Sequence, residues 1–224
     1  MIGIPHHILE KLDVSTRQFL HQIIMMQDGN AAKLMNQNCD SAELNYGVSV
    51  MMLRKFATDI VGQKDLAIKL LQVPMREAKI VASFALSEIE LTTNEVQLAV
   101  EAPATVDEAE HLAKNLLSEH CTQQQFLQMI NGNKWQKLAA IHTVGWAVKK
   151  HLFLAKQLAS ILIDNVNEVI CVETAQPLIY TLGAIGQMSD ECKKTVDSIA
   201  NELSISNNEI KKRIGEGYFW LFGD

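Results

Sequence analysis

Apolar residues along the chain recur mostly at intervals of three and four, the spacing that lines one face of an α-helix. Phe19, Ile23 and Met26 predict an early helix. In residues 49–62, SVMMLRKFATDIVG, Ser49 stands where a side chain can cap the first turn and Gly62 where a helix can end. QKDLAIKLLQ follows as a shorter helix. Pro74 opens PMREAKIVASFALSE at a first-turn position, where its missing N–H costs nothing. Thr92 and Glu95 have capping-box spacing, Pro103 breaks that helix, and Thr105 can cap the next. Further on, the pattern predicts helices over 123–130, 133–150, 152–164, 166–171, 173–185, 189–203 and 207–214. No run alternates apolar and polar residues between hairpin turns, as a half-buried strand would.

Many short helices in roughly similar pairs predict an all-α fold, a HEAT-like helical-repeat solenoid (an α-α superhelix of the ARM type). Repeats of about 40–47 residues tolerate the blurred period seen here. Such an array presents a concave face suited to binding. No linker rich in Pro, Gly or Ser interrupts the pattern, so residues 1–224 are expected to form a single HEAT-like repeat domain.

Composition narrows the class. Hydrophobic residues make up 48% of the chain, with only 11 Gly and 4 Pro, which excludes an extensively disordered protein. Cys39, Cys121, Cys171 and Cys192 are scattered without a CxxC pair, so neither a disulfide framework nor a zinc knuckle is expected. No signal-peptide pattern opens the chain and no apolar stretch is long enough to span a bilayer, so a cytoplasmic protein without membrane contact is expected. The net charge of −6 conceals an asymmetry. From Leu86 to Glu119 eight acids stand against Lys114 alone, whereas no acid occurs between His120 and Ile163. Lys134, Lys137, Lys149, Lys150 and Lys156 fall within that acid-free stretch. The first four are candidate nucleic-acid backbone contacts, because unneutralised lysines attract phosphates.

Two segments could carry chemistry. APATVDEAEHLAKNLL, residues 102–117, sets Asp107, Glu108 and Glu110 beside His111 at a helix start. This is either an acid–base site or a solvated first turn whose acids favour the helix dipole, and the second is the plainer reading. In WQKLAAIHTVGWAVKKH, Trp135, Leu138, His142 and Trp146 share one helical face. Trp135 and Trp146 are thus candidate groove aromatics, against the alternative of a core face. The C-terminal GEGYFWLFGD reads as a plug on the last helices or as a partner contact. Neither the His6–His7 pair nor Glu119–Cys121 has metal-ligand spacing, so no metal is expected; no cofactor motif occurs, with Walker, GxSxG and GxGxxG patterns all missing.

YGVSVMMLRKFATDI (Tyr46–Ile60) and LAIKLLQVPMREAKIVASFAL (Leu66–Leu86) together resemble the DNA alkylation repair family of HEAT-like-repeat alkylpurine DNA glycosylases. Gly47, Val48, Leu53, Arg54, Arg76, Glu77 and Ala78 hold the family's motif positions, and NKWQKLAAI (Asn133–Ile141) resembles a third element. The resemblance covers about residues 20–190. It implies a basic concave groove that holds duplex DNA, and hydrolysis of the N-glycosidic bond of alkylated purines. A carboxylate near the lesion's sugar would stabilise the cationic transition state. The family's Trp-Asp-x-x-Asp element falls on residues 106–110. Val106 replaces the tryptophan, Asp107 keeps the first aspartate, and Glu110 takes the catalytic position one methylene longer. Leu138 stands where the family has a DNA-contacting arginine, and Leu178 near its second tryptophan. Arg54 and Arg76 match the family and join the candidate DNA contacts, although Arg76 beside Glu77 also reads as a bridge between helices. The expectation is a member that binds duplex DNA weakly and has lost or weakened base excision. A helical scaffold for protein partners and a divergent active glycosylase using Glu110 or Asp107 are the alternatives.

Overall fold

The computed structural model describes residues 4–10, 12–37 and 44–223. Cys39 lies outside the described residues; Cys121, Cys171 and Cys192 are free thiols. The described residues fold as helices joined by short turns. The first helices are α1 (His6–Leu9), α2 (Val14–Ile24), α3 (Gly29–Gln37), α4 (Val50–Asp59), α5 (Lys64–Leu71), α6 (Arg76–Ala85), α7 (Thr93–Glu101) and α8 (Val106–Leu112). The chain continues through a π-helical turn (Ala113–Leu117), α9 (Ser118–His120), α10 (Gln123–Ile130), α11 (Lys134–Lys149) and α12 (Ala155–Asp164). A 3₁₀ turn (Val166–Val169), α13 (Ala175–Gly186), α14 (Asp190–Ser204) and α15 (Glu209–Phe222) complete it. The only extended pairing among the described residues is a single parallel bridge between Leu44 and Met75.

The chain divides into two compact units, residues 1–116 and 117–224. In the first, α4 packs on α6 and α6 on α8, while α5 packs on α2, α6 and α7. In the second, α11 packs on α10, α12 and α13, and α13 packs on α14 and α15. Contact between every second helix is the packing of a helical repeat, consistent with the all-α expectation. The cores are mainly aliphatic: Leu53, Ile80 and Leu112 are sealed in the first unit, and Ile141 and Leu182, with the aromatic Phe126, in the second.

Local signals place most helix ends. Ser49 accepts the Met52 N–H, Thr105 accepts the Glu108 N–H, and Thr92 with Glu95 forms both arms of a capping box. Gly62 takes φ +82° just past the end of α4. The helix predicted over 152–164 begins only at Ala155, the one over 166–171 is the 3₁₀ turn Val166–Val169, and two further differences have a clear cause. α6 begins at Arg76, and Pro74 precedes the N-cap Met75. The segment is held extended there, because Leu44 N–H donates to the Pro74 carbonyl and Arg76 N–H to the Leu44 carbonyl. α15 runs past residue 214 to Phe222, straight through Gly215 and Gly217. Gly215 is a contact point rather than a stop. A Cβ there would meet the Ala200 carbonyl and the Ser204 nitrogen at 2.4 Å, so the bare backbone lets α15 lie close against α14. Within the C-terminal segment Tyr218 is buried, donating to Asp197 at 2.7 Å, whereas Trp220 is 84% exposed.

Candidate functional site

Gly47, Val48, Arg76 and Glu77 of the first unit's motif meet with Asp107 in one clasp. Arg76, at the start of α6, is 2% exposed. Its Nε and Nη2 donate to Asp107 Oδ2 on α8 at 2.8 and 2.5 Å, and its Nη1 donates to the Val48 carbonyl at 3.1 Å and Glu77 Oε1 at 3.3 Å. Glu77 Oε1 also accepts the backbone N–H groups of Tyr46 (3.0 Å) and Val48 (3.3 Å). Two N–H groups converge on one oxygen because Gly47 between them takes φ +72°, a conformation open to glycine. A side chain at Gly47 would also strike the Asp28 carbonyl at 2.3 Å. Burial pushes the Glu77 pKa up, against the pull of Arg76 and of the two N–H groups. Its second oxygen, Oε2, is buried without a hydrogen-bond partner. The clasp ties the loop before α4 to α6 and α8.

The acids of residues 107–110 have separate fates. Asp107 binds Arg76. Glu108 is fully buried, 3.4 Å from Lys79 Nζ, and accepts the Ala104 N–H at 2.8 Å. The expectation of a uniformly solvated first turn is therefore corrected: the cap and the dipole are present, but Glu108 points inward because α8 lays that face on α6. Glu110 is half-buried, and Val106 is 49% exposed. His111 tilts against Phe84 with ring centroids 5.2 Å apart, and the exposed Arg54 guanidinium lies 5.0 Å over the same Phe84 ring. Burial lowers the His111 pKa, opposed by Glu110 and Asp107, and its buried Nδ1 has no hydrogen-bond partner.

In the second unit the lysine block is split. Lys134 Nζ meets Glu173 at 2.8 Å and lies 4.7 Å over the Trp135 ring, while Lys150 Nζ meets Glu119 at 2.6 Å. Both acids lie outside the acid-free stretch, so counting charges within it does not reveal them. Among the described residues, Lys137, Lys149 and Lys156 have no carboxylate within ion-pair distance. Trp135 is packed into the core; Leu138 and Leu178 are 0% exposed. Trp146 instead lines a groove of about 1050 Å³ between α11, the start of α12 and α13. Lys149, His151, Phe153, Lys156 and Tyr180 line it as well, and no acidic residue does. Lys149 Nζ lies 4.7 Å over the Trp146 ring. The Thr181 hydroxyl donates to the Ile141 carbonyl at 3.3 Å, joining α13 to α11. His142 also lines the groove, and burial lowers its pKa to about 4, so it is neutral near pH 7.

The groove mouth is shaped by the end of α11. His151 takes φ +55°; its N–H donates to the Val148 carbonyl and that of Leu152 to the Ala147 carbonyl, both at 3.0 Å. This is a Schellman termination with histidine where glycine is usual. Sequence reasoning singled out Trp146 and Lys149 but missed Phe153 and Tyr180. The available signal was the aromatic residue three before each of Lys149 and Lys156.

Among the described residues, no group of three His, Cys, Asp or Glu side chains is placed to hold a metal ion, and burial raises the Cys121 pKa to about 12. No helix among them is long and apolar enough to cross a membrane. No curated protein and no solved structure matches the chain. Residues 20–170 match the family model described as DNA alkylation repair enzyme. That span holds the Gly47–Arg76–Glu77 clasp, residues 106–110 and the whole of α11, which is more than half of the chain: the protein belongs to the DNA alkylation repair enzyme family.

Proposed function

We propose that this family member is a helical-repeat solenoid in the cytoplasm that contacts DNA weakly through its backbone and has lost or weakened base excision. One observation carries the reading on catalysis. Of the positions that the resemblance puts at a lesion, Leu178 is sealed in the core, Val106 is an aliphatic side chain at the surface, and only Glu110 offers an uncommitted carboxylate; Leu138, in place of the family's DNA-contacting arginine, is sealed in the core as well. Stabilising an oxocarbenium-like transition state needs charge and rings placed to within about an ångström. Asp107, the other acid at these positions, is committed to Arg76, which makes both members of that pair parts of the clasp. Of the candidate contacts, Arg54, Lys137 and Lys149 remain for phosphates, with Lys134 and Lys150 available at the cost of their ion pairs.

Few cations on an acidic chain predict affinity of about micromolar or weaker at physiological salt, with little sequence preference and steep salt dependence. The test is a salt titration of duplex binding with wild type and with Lys134, Lys137, Lys149 and Lys150 changed to Gln. Weaker binding and a flatter salt slope in the variant, at unchanged helix content, support the reading. Equal binding by both proteins, or none by either at low salt, contradicts it. The second outcome turns the reading towards a scaffold for protein partners, which the exposed Trp220 on α15 favours.

A further inference from the structure

We infer that the groove between α11 and α13 is a site for unpaired nucleotides, a single-stranded or locally opened stretch of DNA rather than intact duplex. Its wall alternates rings and cations. Trp146 is followed three residues later by Lys149, and Phe153 three residues later by Lys156, with Tyr180 contributed from α13. Phe153 is 99% exposed and Tyr180 54%, so neither ring contributes much to the core. Exposed rings interleaved with lysines are the device by which proteins hold single strands: bases stack on the rings while phosphates meet the cations. A duplex can meet the lysines with its phosphates but cannot use the ring faces, because its bases are already stacked on each other and only its edges and phosphates face outward.

Charge selects the occupant further. Lys149 and Lys156 line the groove and no carboxylate does, so an anionic chain is complementary to it. The groove, at about 1050 Å³, reaches the upper end of the roughly 300–1,000 Å³ typical of small-ligand sites. A polymer segment suits that volume. An acidic amphipathic helix would satisfy the charge but has no use for ring faces beside each lysine. Within the chain His142 adds a neutral imidazole to the same wall, a group able both to donate to and to accept from a base edge.

This inference rests on the reading of the chain as a DNA-binding protein, and the experiment separates the two. Fluorescence anisotropy is measured with a labelled oligothymidylate of about 12 nucleotides, a length within the range one binding groove covers, and with a duplex of equal length. The proteins are wild type, Tyr180→Ala, Phe153→Ala and the double variant Lys149→Gln/Lys156→Gln, each checked by circular dichroism; the two ring positions are exposed enough to change without unfolding. Wild type is expected to hold the single strand about tenfold more tightly than the duplex, and each ring variant to lose about tenfold on the single strand with duplex binding unchanged. The double lysine variant should flatten the single-strand salt slope by about 1.4. Duplex bound as tightly as single strand, or ring variants that bind like wild type, overturns the inference while leaving the DNA-binding reading intact. Polyglutamate that competes equally and shares the sensitivity to Tyr180→Ala assigns the groove to an acidic protein segment and also overturns it. No binding of either nucleic acid at low salt removes both.

Discussion

The clasp of the first unit and the groove of the second contain similar residue types and use them in opposite ways. Arg76, Glu77 and Asp107 are matched to one another and to backbone groups, and Arg76 and Glu77 are almost entirely shielded from water. Lys149 and Lys156 line an open cavity with no carboxylate on its wall. A charge already paired in the interior holds helices together and has little left for a ligand. A charge on a cavity wall without a partner adds almost nothing to stability and is available to an anion. The motif that best reveals ancestry is therefore a structural one, while the surface suited to binding lies in residues that the motif does not mention.

The sharpest way to break this comparison is to remove one charge from each region. Arg76→Met should cost about 3–5 kcal/mol in urea unfolding, because it leaves Glu77 buried beside an apolar chain. Lys149→Met should stay within about 0.5 kcal/mol. Equal costs would erase the distinction. Gly47→Ala comes next, with a loss of about 2–4 kcal/mol from the left-handed backbone and the collision with the Asp28 carbonyl. A midpoint unchanged by Gly47→Ala would show that the two N–H groups do not need this turn to reach Glu77.

A third effect is on pH. His142 titrates near 6.5 when unfolded and at about 4 when folded, so the unfolded state binds the proton first. Its contribution is level above about pH 6.5, is lost as pH falls towards 4, and is level again below that, amounting to about 2 kcal/mol after allowance for its partial exposure. Glu77 runs the other way: with its folded pKa raised, the folded state takes up the proton first as pH falls, which adds stability. Comparing wild type with His142→Asn isolates the imidazole. A stability difference between the two that does not change from pH 7 to pH 4 would contradict the assignment. The smallest effect is a gain. His151→Gly removes a side chain from φ +55° and should stabilise by about 1 kcal/mol, raising Tm by about 2–4 °C. A fall in Tm would mean that His151 makes a contact worth more than its backbone strain.

What was legible in the sequence was local. Ser49, Thr92 with Glu95, and Thr105 act as caps over three residues, a distance that a sequence spells out. Gly47, Arg76 and Glu77 were recognisable as motif positions, but their meeting in one clasp depends on α4, α6 and α8 packing together. The ion pairs Lys134–Glu173 and Lys150–Glu119 join residues 39 and 31 positions apart, so an acid-free run in the sequence did not mean acid-free space. The helix predicted over 207–214 continues through Gly215, a contact point against α14, since a sequence does not distinguish a glycine used for its backbone freedom from one used for its small size. The groove was half legible: Trp146 and Lys149 share a helical face, but Tyr180 joins them only through the packing of α13 on α11.

The central claim is that binding has outlived base excision, and the release of methylated purines tests it most directly. Duplex DNA carrying 3- and 7-methylpurines would be incubated with protein in excess, and free base measured over time against a protein-free control. The account predicts release no faster than the control, with wild type and Glu110→Gln indistinguishable. Release well above the control that disappears in Glu110→Gln would contradict it, and would make Glu110 the working carboxylate of an active glycosylase.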